Sequence, residues 1–344
     1  MSAPDSEVAV MAAPECPAVS FVVPCHNEEL VVEATTLALL ELIEQQRDIG
    51  RCGVRSLVLL VDDGSSDGTW TLIEQLAQQH PGQVAGLRLS RNVGHQHALL
   101  AGLTTAPGDV LISIDADLQD DLSVIPQMLD YYQQGNDIVY GVRGLRPTDT
   151  RLKRMTAAGF YRLMRRLGVD VIDNHADYRL MSRRAVEILR QYDEVNLFLR
   201  GIVRLICLRS AQVRYDRRER TAGATKYPLS RMTALAIDGI TSFSAVPLRV
   251  ISVLGLLTSL LALAISIWVL VVALTNPSAV PGWASTVLPI TFIGGVQILS
   301  IGVLGEYIGK IYMETKRRPR FIVDRIVGLP GDDLGRGPQR GQVD

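Results

Sequence analysis

Between Arg249 and Glu306 there is no Asp, Glu, Lys or Arg. A soluble domain of this size rarely sustains so long a run without charge. The run divides at Thr275-Asn276-Pro277-Ser278 and Pro281-Gly282. Residues 250–274 and about 287–307 are each long enough to cross a bilayer, since about 20 apolar residues span its core. They predict a two-helix transmembrane hairpin over 250–309; the alternative is a buried core hairpin. The connecting loop lacks Lys and Arg, whereas Arg249 precedes the first run and Lys310, Lys316, Arg317, Arg318 and Arg320 follow the second. The positive-inside rule then puts both termini in the cytoplasm. Gly305 and Gly309, with Gly302 before them, form a small-residue stripe that allows close helix approach.

The chain ahead of the hairpin alternates short apolar runs with helical patterns. The apolar runs at 19–23, 56–61, 85–89, 110–114 and 138–140 read as strands, and 30–46 and 69–79 read as helices. Such alternation predicts an α/β fold with a mostly parallel sheet and helices on both faces. Ligands of these sheets bind beyond the carboxyl ends of the strands. The polar clusters 24–28, 62–67 and 115–119 each follow a strand, so they should gather at one edge. Asp115-Ala116-Asp117 closes the fourth strand, and two carboxylates so placed can converge on a hard cation that also binds phosphate. Gln119 adds a neutral oxygen. In 62–69, Asp67 or Ser66 reads as a helix cap, which leaves Asp63 to accept hydrogen bonds from a base. No G-x-G-x-x-G or G-x-x-x-x-G-K-[ST] occurs, so dinucleotide and P-loop readings lose their support.

Net charge is −1, but its distribution is uneven. Residues 1–142 carry 5 basic and 20 acidic side chains, a net of −15; residues 143–234 carry 21 and 9, a net of +12. An acidic half suits cations, and a basic middle suits phosphates or an anionic membrane face. The basic block leads into the apolar runs, which favours membrane phosphate over nucleic acid. Arg151 to Arg166 and residues 229–246 have amphipathic patterns that suit a lipid interface. Trp283 fits an interfacial anchor. Cys16, Cys25, Cys52 and Cys207 lack metal or redox spacing and read as reduced thiols. The acidic N-terminus does not resemble a signal peptide. His95 and His97 have no third ligand at metal spacing and read as a substrate-contacting loop or a helix start.

The segments V-V-P-C-H-N-E-E (22–29), V-D-D-G-S-S-D-G-T (61–69), L-S-R-N-V-G-H-Q (89–96), I-D-A-D-L-Q-D (114–120), A-D-Y-R-L-M-S-R (176–183) and R-T-A-G-A-T-K-Y-P (220–228) resemble the family 2 glycosyltransferases of the A-type fold (GT-A). Within them the chain is similar to the polyprenyl-phosphate glycosyltransferases, relatives of dolichyl-phosphate mannose synthase. Residues 237–249, the apolar runs and 305–312 look like the bacterial branch that glycosylates undecaprenyl or a similar phosphate.

The resemblance implies inverting hexosyl transfer from a nucleotide sugar, tilted toward UDP-glucose, to a polyprenyl phosphate on the cytosolic face of the inner membrane. It implies that Pro24, His26, Glu28 and Asp63 hold base and ribose. Asp115, Asp117 and Gln119 would lie at a Mg²⁺ or Mn²⁺ and the donor diphosphate. Asp177 would lie at the reaction centre, and Arg143, Arg220 and Lys226 would bind phosphate. On the same resemblance Asp117 would be the second catalytic carboxylate. For Asp177 the alternative is a salt bridge with Arg179 or Arg183. The family usually has Tyr at the position of His26, and here Asp120-Asp121-Leu122-Ser123 follows Gln119 where it has Asp-Pro-Pro-Glu.

The implied organisation is a disordered lead (1–17), a cytosolic GT-A domain (18–228), an amphipathic interfacial region (229–249), the hairpin (250–309) and a basic, partly disordered cytosolic tail (310–344). A homo-oligomer without nucleic-acid partners is expected. Two other readings stand beside this one. A processive polysaccharide synthase would need a Gln-x-x-Arg-Trp motif, and the tryptophans are only Trp70, Trp268 and Trp283. A non-catalytic nucleotide-sugar scaffold would tolerate loss of Asp115, Asp117 and Asp177.

Overall fold

The computed structural model describes residues 16–144, 175–195, 197–216, 246–275 and 283–329. The lead before residue 16, the basic stretch 151–166, Arg220, Lys226 and most of the interfacial region lie outside them.

The strands are β1 (Val19–Cys25), β2 (Leu57–Asp62), β3 (Val84–Leu89), β4 (Val110–Ser113), β5 (Ile138–Arg143), β6 (His175–Ser182), β7 (Ser210–Tyr215) and β8 (Val323–Val327). They form one sheet in the order β7-β5-β6-β4-β1-β2-β3-β8. The pairings β1–β2, β1–β4, β2–β3 and β5–β7 are parallel, whereas β4–β6, β5–β6 and β3–β8 are antiparallel. The sheet is therefore mostly parallel, as expected. All residues of β1 and β2 are buried, because helices cover both faces.

Alternate strand residues serve opposite faces. Phe21, Val23, Val58 and Leu60 pack with helices α1 (Val32–Asp48), α2 (Thr69–Gln79) and α4 (Ile125–Gln133). Val22, Leu57, Leu59 and Val61 pack with α3 (His95–Thr105), α5 (Arg183–Leu189) and α6 (Leu199–Leu205). Each buried Leu, Ile or Val contributes about 1.5–3 kcal/mol relative to exposure.

α3 lies close on the sheet because Gly102 has no side chain. A Cβ there would collide with Val22 and with Val61, the latter at 2.7 Å. The helix axis is thus fixed at its middle, and its first residue, His95, is aimed at the edge where β1, β2 and β4 end.

Two long helices follow, α7 (Val246–Thr275) and α8 (Trp283–Thr315). They contain the two apolar runs but extend past them, α7 back over Arg249 and α8 on over Glu306, Lys310 and Glu314, and among the described residues one span, not the expected two, qualifies as a membrane crossing. One stretch, Phe292–Thr315, is long and apolar enough to cross a membrane by length and composition, and none of it is buried. Among the described residues nothing lies within 4 Å of a Cβ added at Gly302, Gly305 or Gly309, so the small-residue stripe makes no close contact with them.

β8 was not anticipated. After α8 the chain returns to the sheet and pairs with β3, placing Ile326 beside Leu87. Arg325 pairs with Glu74 at 3.0 Å. The apolar residues Phe321, Val323 and Ile326 supply the reason, since they pack on the same core as α3. All four cysteines are free.

Gly102→Val should cost about 1–3 kcal/mol by overpacking, read as a lowered thermal midpoint. Because α3 would be displaced, the variant should also lose activity in excess of its stability loss.

Candidate active site

The carboxyl ends of β1, β2 and β4 point to one crevice. β1 lies between β2 and β4, so the chain order switches direction there, and crevices of this kind are where open α/β sheets bind ligands. β6 runs antiparallel to β4 with Ser113 opposite Arg179. Its first residues therefore reach the same edge and bring Asp177 beyond the end of β4.

Asp177 is buried, with 7% of its side chain exposed, and is surrounded by positive charge. Arg179 Nη2 lies 2.5 Å from Oδ1 and Arg200 Nη2 lies 3.1 Å from Oδ2. Burial alone would raise the Asp177 carboxyl, but Arg200, His95 and Arg179 outweigh it and hold it well below the usual carboxylate range. The ion pair foreseen with Arg179 is present. Arg183 instead donates to the carbonyls of Gly108 and Ala106.

His95 joins this carboxylate to the Asp-x-Asp loop. Its Nε2 lies 3.5 Å from Asp177 Oδ2 and 3.6 Å from Asp115 Oδ1. Burial opposes a charge on His95, yet the two carboxylates prevail and raise it above the ordinary imidazole value. Burial raises the Asp115 carboxyl, His95 opposes, and Asp120, Asp177 and Asp117 add to the rise.

On the other side of Asp115 stands Arg143, at the end of β5, 3.9 Å from Oδ2. Arg143 also pairs with Asp120 at 3.3 Å and donates to the Tyr215 hydroxyl at 3.1 Å. Tyr215 in turn donates to Asp120. The register Arg143↔Tyr215 across β5 and β7 is what makes this possible. Asp117 Oδ1 accepts the Gln119 N–H at 3.3 Å, and Gln119 itself is buried.

The third loop forms a separate pocket wall. His26 Nδ1 donates to the Asp63 carbonyl at 3.0 Å, because a carbonyl can only accept. His26 Nε2 then accepts from Asn92 Nδ2 at 2.9 Å. The imidazole is thereby fixed in orientation and tautomer. Pro24 lies in β1 opposite Val61, and the Glu28 N–H donates to Thr69 Oγ1 at 2.9 Å.

Asp63 is not free, contrary to the sequence reading: Oδ1 accepts the Val93 N–H at 2.7 Å and Oδ2 the Gly94 N–H at 3.0 Å, and each oxygen keeps a second lone pair. It ties the β2 loop to the loop before α3, sharing the Gly94 N–H with Asn92 Oδ1 at 3.0 Å. Gly64 (φ 61°) allows this contact, since a Cβ there would meet the Arg91 carbonyl carbon at 2.5 Å. Asp67 Oδ1 accepts the Thr69 N–H at 3.1 Å, but the N-cap of α2 is Gly68, with no side-chain cap bond, so neither Asp67 nor Ser66 is the cap residue.

Among the described residues no group of three His, Cys, Asp or Glu side chains is arranged to hold a metal ion unaided. Asp115 and Asp117 nevertheless offer hard oxygens, which fit a cation that takes its remaining ligands from phosphate and water.

Arg200, Tyr215 and Asp120 have no role in the sequence reading, whereas His95, read there as a substrate-contacting loop residue or a helix start, is the first residue of α3. His95 stands within the L-S-R-N-V-G-H-Q segment, and that position was its signal. Arg200 carries none, because it reaches Asp177 only through folding.

Residues 20–189 match Glycosyl transferase family 2. The chain is 49% identical over 310 residues to the uncharacterized glycosyltransferase YkoT of Bacillus subtilis, covering 90% of this chain and 91% of that one. It is 40% identical to a prophage bactoprenol glucosyl transferase homolog of Escherichia coli, covering 90% and 99%. It is also 40% identical to the bactoprenol glucosyl transferase of Shigella phage SfV, covering 89% and 97%.

Asp177→Asn removes the charge that offsets buried Arg179, and should cost about 3–5 kcal/mol in denaturant unfolding. Its folded carboxyl lies below the unfolded value of about 3.9. The stabilisation is therefore complete above that value and is lost as pH falls through the depressed folded one. Because Asp177 also raises His95, the gap between wild type and variant should widen as pH falls from 7 toward 5 and His95 takes up its proton, and close only in stronger acid.

Proposed function

The chain belongs to glycosyl transferase family 2, and on that premise we propose that it moves a glucosyl group from a nucleotide sugar, by preference UDP-glucose, onto a polyprenyl phosphate. Near full-length similarity to relatives named bactoprenol glucosyl transferase carries this reading. An alignment that omits only a tenth of this chain must include most of α7 and α8. The lipid-facing part of the molecule is thus shared, not just the sheet.

The catalytic unit is residues 18–228 completed by β8 from the tail (310–344), with an interfacial region (229–249) and a two-span hairpin (250–309) between them and the lead (1–17) ahead. β8 supports the two-span reading. The chain before α7 and the strand after α8 belong to one sheet, and a chain that returns to its starting side crosses an even number of times. Val253, Leu257 and Leu261 on α7 are exposed, which suits lipid. The positive-inside rule puts the sheet domain on the cytosolic face.

In the crevice, Pro24, His26 and Glu28 frame the base and ribose, and Asp63 acts there by holding the loop 92–94. Asp115, Asp117 and Gln119 face the donor diphosphate. A bound Mg²⁺ or Mn²⁺ would supply Lewis-acid neutralisation of that leaving group. Arg143, with Arg220 and Lys226, adds positive charge at phosphate, and Asp120 and Tyr215 aim its planar fork.

The acceptor phosphate has a second pKa of about 6, so its oxygen is already anionic at neutral pH. A strong base is not needed. The depressed Asp177 carboxyl suits an orienting role, because a group that stays ionised far below neutrality is a weak base. His95, held between Asp115 and Asp177, balances the two carboxylates and keeps them apart from the incoming anion. Direct attack by that oxygen inverts the anomeric centre.

Purified membranes incubated with polyprenyl phosphate, a divalent cation and labelled UDP- and GDP-sugars should yield a mild-acid-labile glycolipid with UDP-glucose. Label appearing from another donor would change the assignment of the sugar, and no label from any donor would end the transfer reading. Asp117→Ala should lower the rate at least about a hundredfold while the protein still folds and inserts.

A further inference from the structure

The last turn of α8 does not end in solvent. Both carboxylate oxygens of Glu314 accept the backbone N–H of Val195, each at 3.0 Å. A few residues later Arg320 donates to the Tyr192 carbonyl at 2.6 Å and pairs with Asp193 at 3.3 Å. Burial and the neighbouring Glu314 raise the Glu194 carboxyl, with Arg320 opposing, which reflects how closely these groups converge.

The same segment is held from the opposite side by the first turn of α3. Gln96 Oε1 accepts the Leu199 N–H at 2.8 Å, and His97 Nε2 donates to the Val195 carbonyl at 3.3 Å. α6 begins there. It has only seven residues and no side-chain cap at Phe198. A helix that short has almost no stability of its own, so its direction depends on what holds its start. Its second residue is Arg200, whose guanidinium lies 3.1 Å from Asp177.

We infer that Glu314 is a positioning residue: through Val195 it clamps residues 192–199, fixes the start of α6, and so holds Arg200 against Asp177. The end of an apolar helix is thereby mechanically joined to the reaction centre. A charge-assisted bond to a backbone N–H is about twice as strong as a neutral one, which is why a single carboxylate can serve as the clamp. The kinetic half of this inference rests on the glucosyl-transfer reading; the structural half does not.

The test uses the full chain in detergent or membranes, with Glu314→Ala and Glu314→Gln compared with wild type. Hydrogen exchange of the amides at 195–205 should rise about tenfold in Glu314→Ala, while the amides of β1, β2 and β4 stay unchanged. The kcat should fall several-fold with the donor KM unchanged, and Gln, which keeps one acceptor oxygen, should restore most of both. Unchanged exchange at 195–205 in Glu314→Ala overturns the clamp. So does exchange that rises across the whole sheet, which would mark general loosening. Faster local exchange with an unaltered kcat overturns the positioning role. The exchange measurement needs no substrate, so the clamp is decided even if the transfer reading fails.

Discussion

A buried carboxylate must be matched by positive charge, and the crevice of this protein is arranged around that requirement at Asp177. Removing such an ion from water costs several kcal/mol. β6 answers part of the cost locally, because residues two apart on a strand share a face, and Asp177 and Arg179 are two apart. The rest comes from far away in sequence, through Arg200 on α6 and His95 on α3. Two nitrogens of Arg179 find no acceptor among the described residues. The cluster is therefore not an optimised fold-stabilising device. Imperfect satisfaction of this kind is tolerated where chemistry needs charge held in place.

The uneven charge along the chain acquires a structural meaning here. The acidic first half contributes Asp115 and Asp117 from β-strand ends. The basic middle contributes Arg143, Arg179 and Arg200. Strand order interleaves the two segments, since β6 from the later one lies between β5 and β4, and β7, also later, pairs with the far side of β5. Opposite charges separated in sequence thus alternate across a single crevice. Arg143 and His95 flank Asp115 on its two sides. The result is a crevice in which Asp115 and Asp177 each face positive charge.

Much of this was legible before folding. Continuous apolar runs marked the strands of the parallel sheet, since buried strands leave no polar alternation. Three polar clusters after three strands marked the edge, and Asp115, Asp117 and Asp177 were singled out on their motifs. The boundary at Asp62 was missed by one residue because a carboxylate was not expected at the end of a buried strand. The loop contacts of Asp63 were hidden for a different reason. Its partners, the Val93 and Gly94 N–H groups, lie about 30 residues on, and backbone donors carry no side-chain signature. β8 was hidden in a segment rich in charge, where Val323, Ile326 and Val327 gave too short a pattern to compete with the arginines around it.

The sequence by itself determined the periodicities and their punctuation. Strand, helix and apolar-span identities follow from which residues can be buried and how often they recur. It also determined the chemistry available at each strand end, because residue type is local information. Tertiary structure alone decided which of those groups meet. His95 between two carboxylates, Arg200 against Asp177 and Glu314 on Val195 all depend on helix directions and on Gly102 letting α3 lie flat. Those directions are set by packing summed over the whole core, and no window of sequence contains that sum.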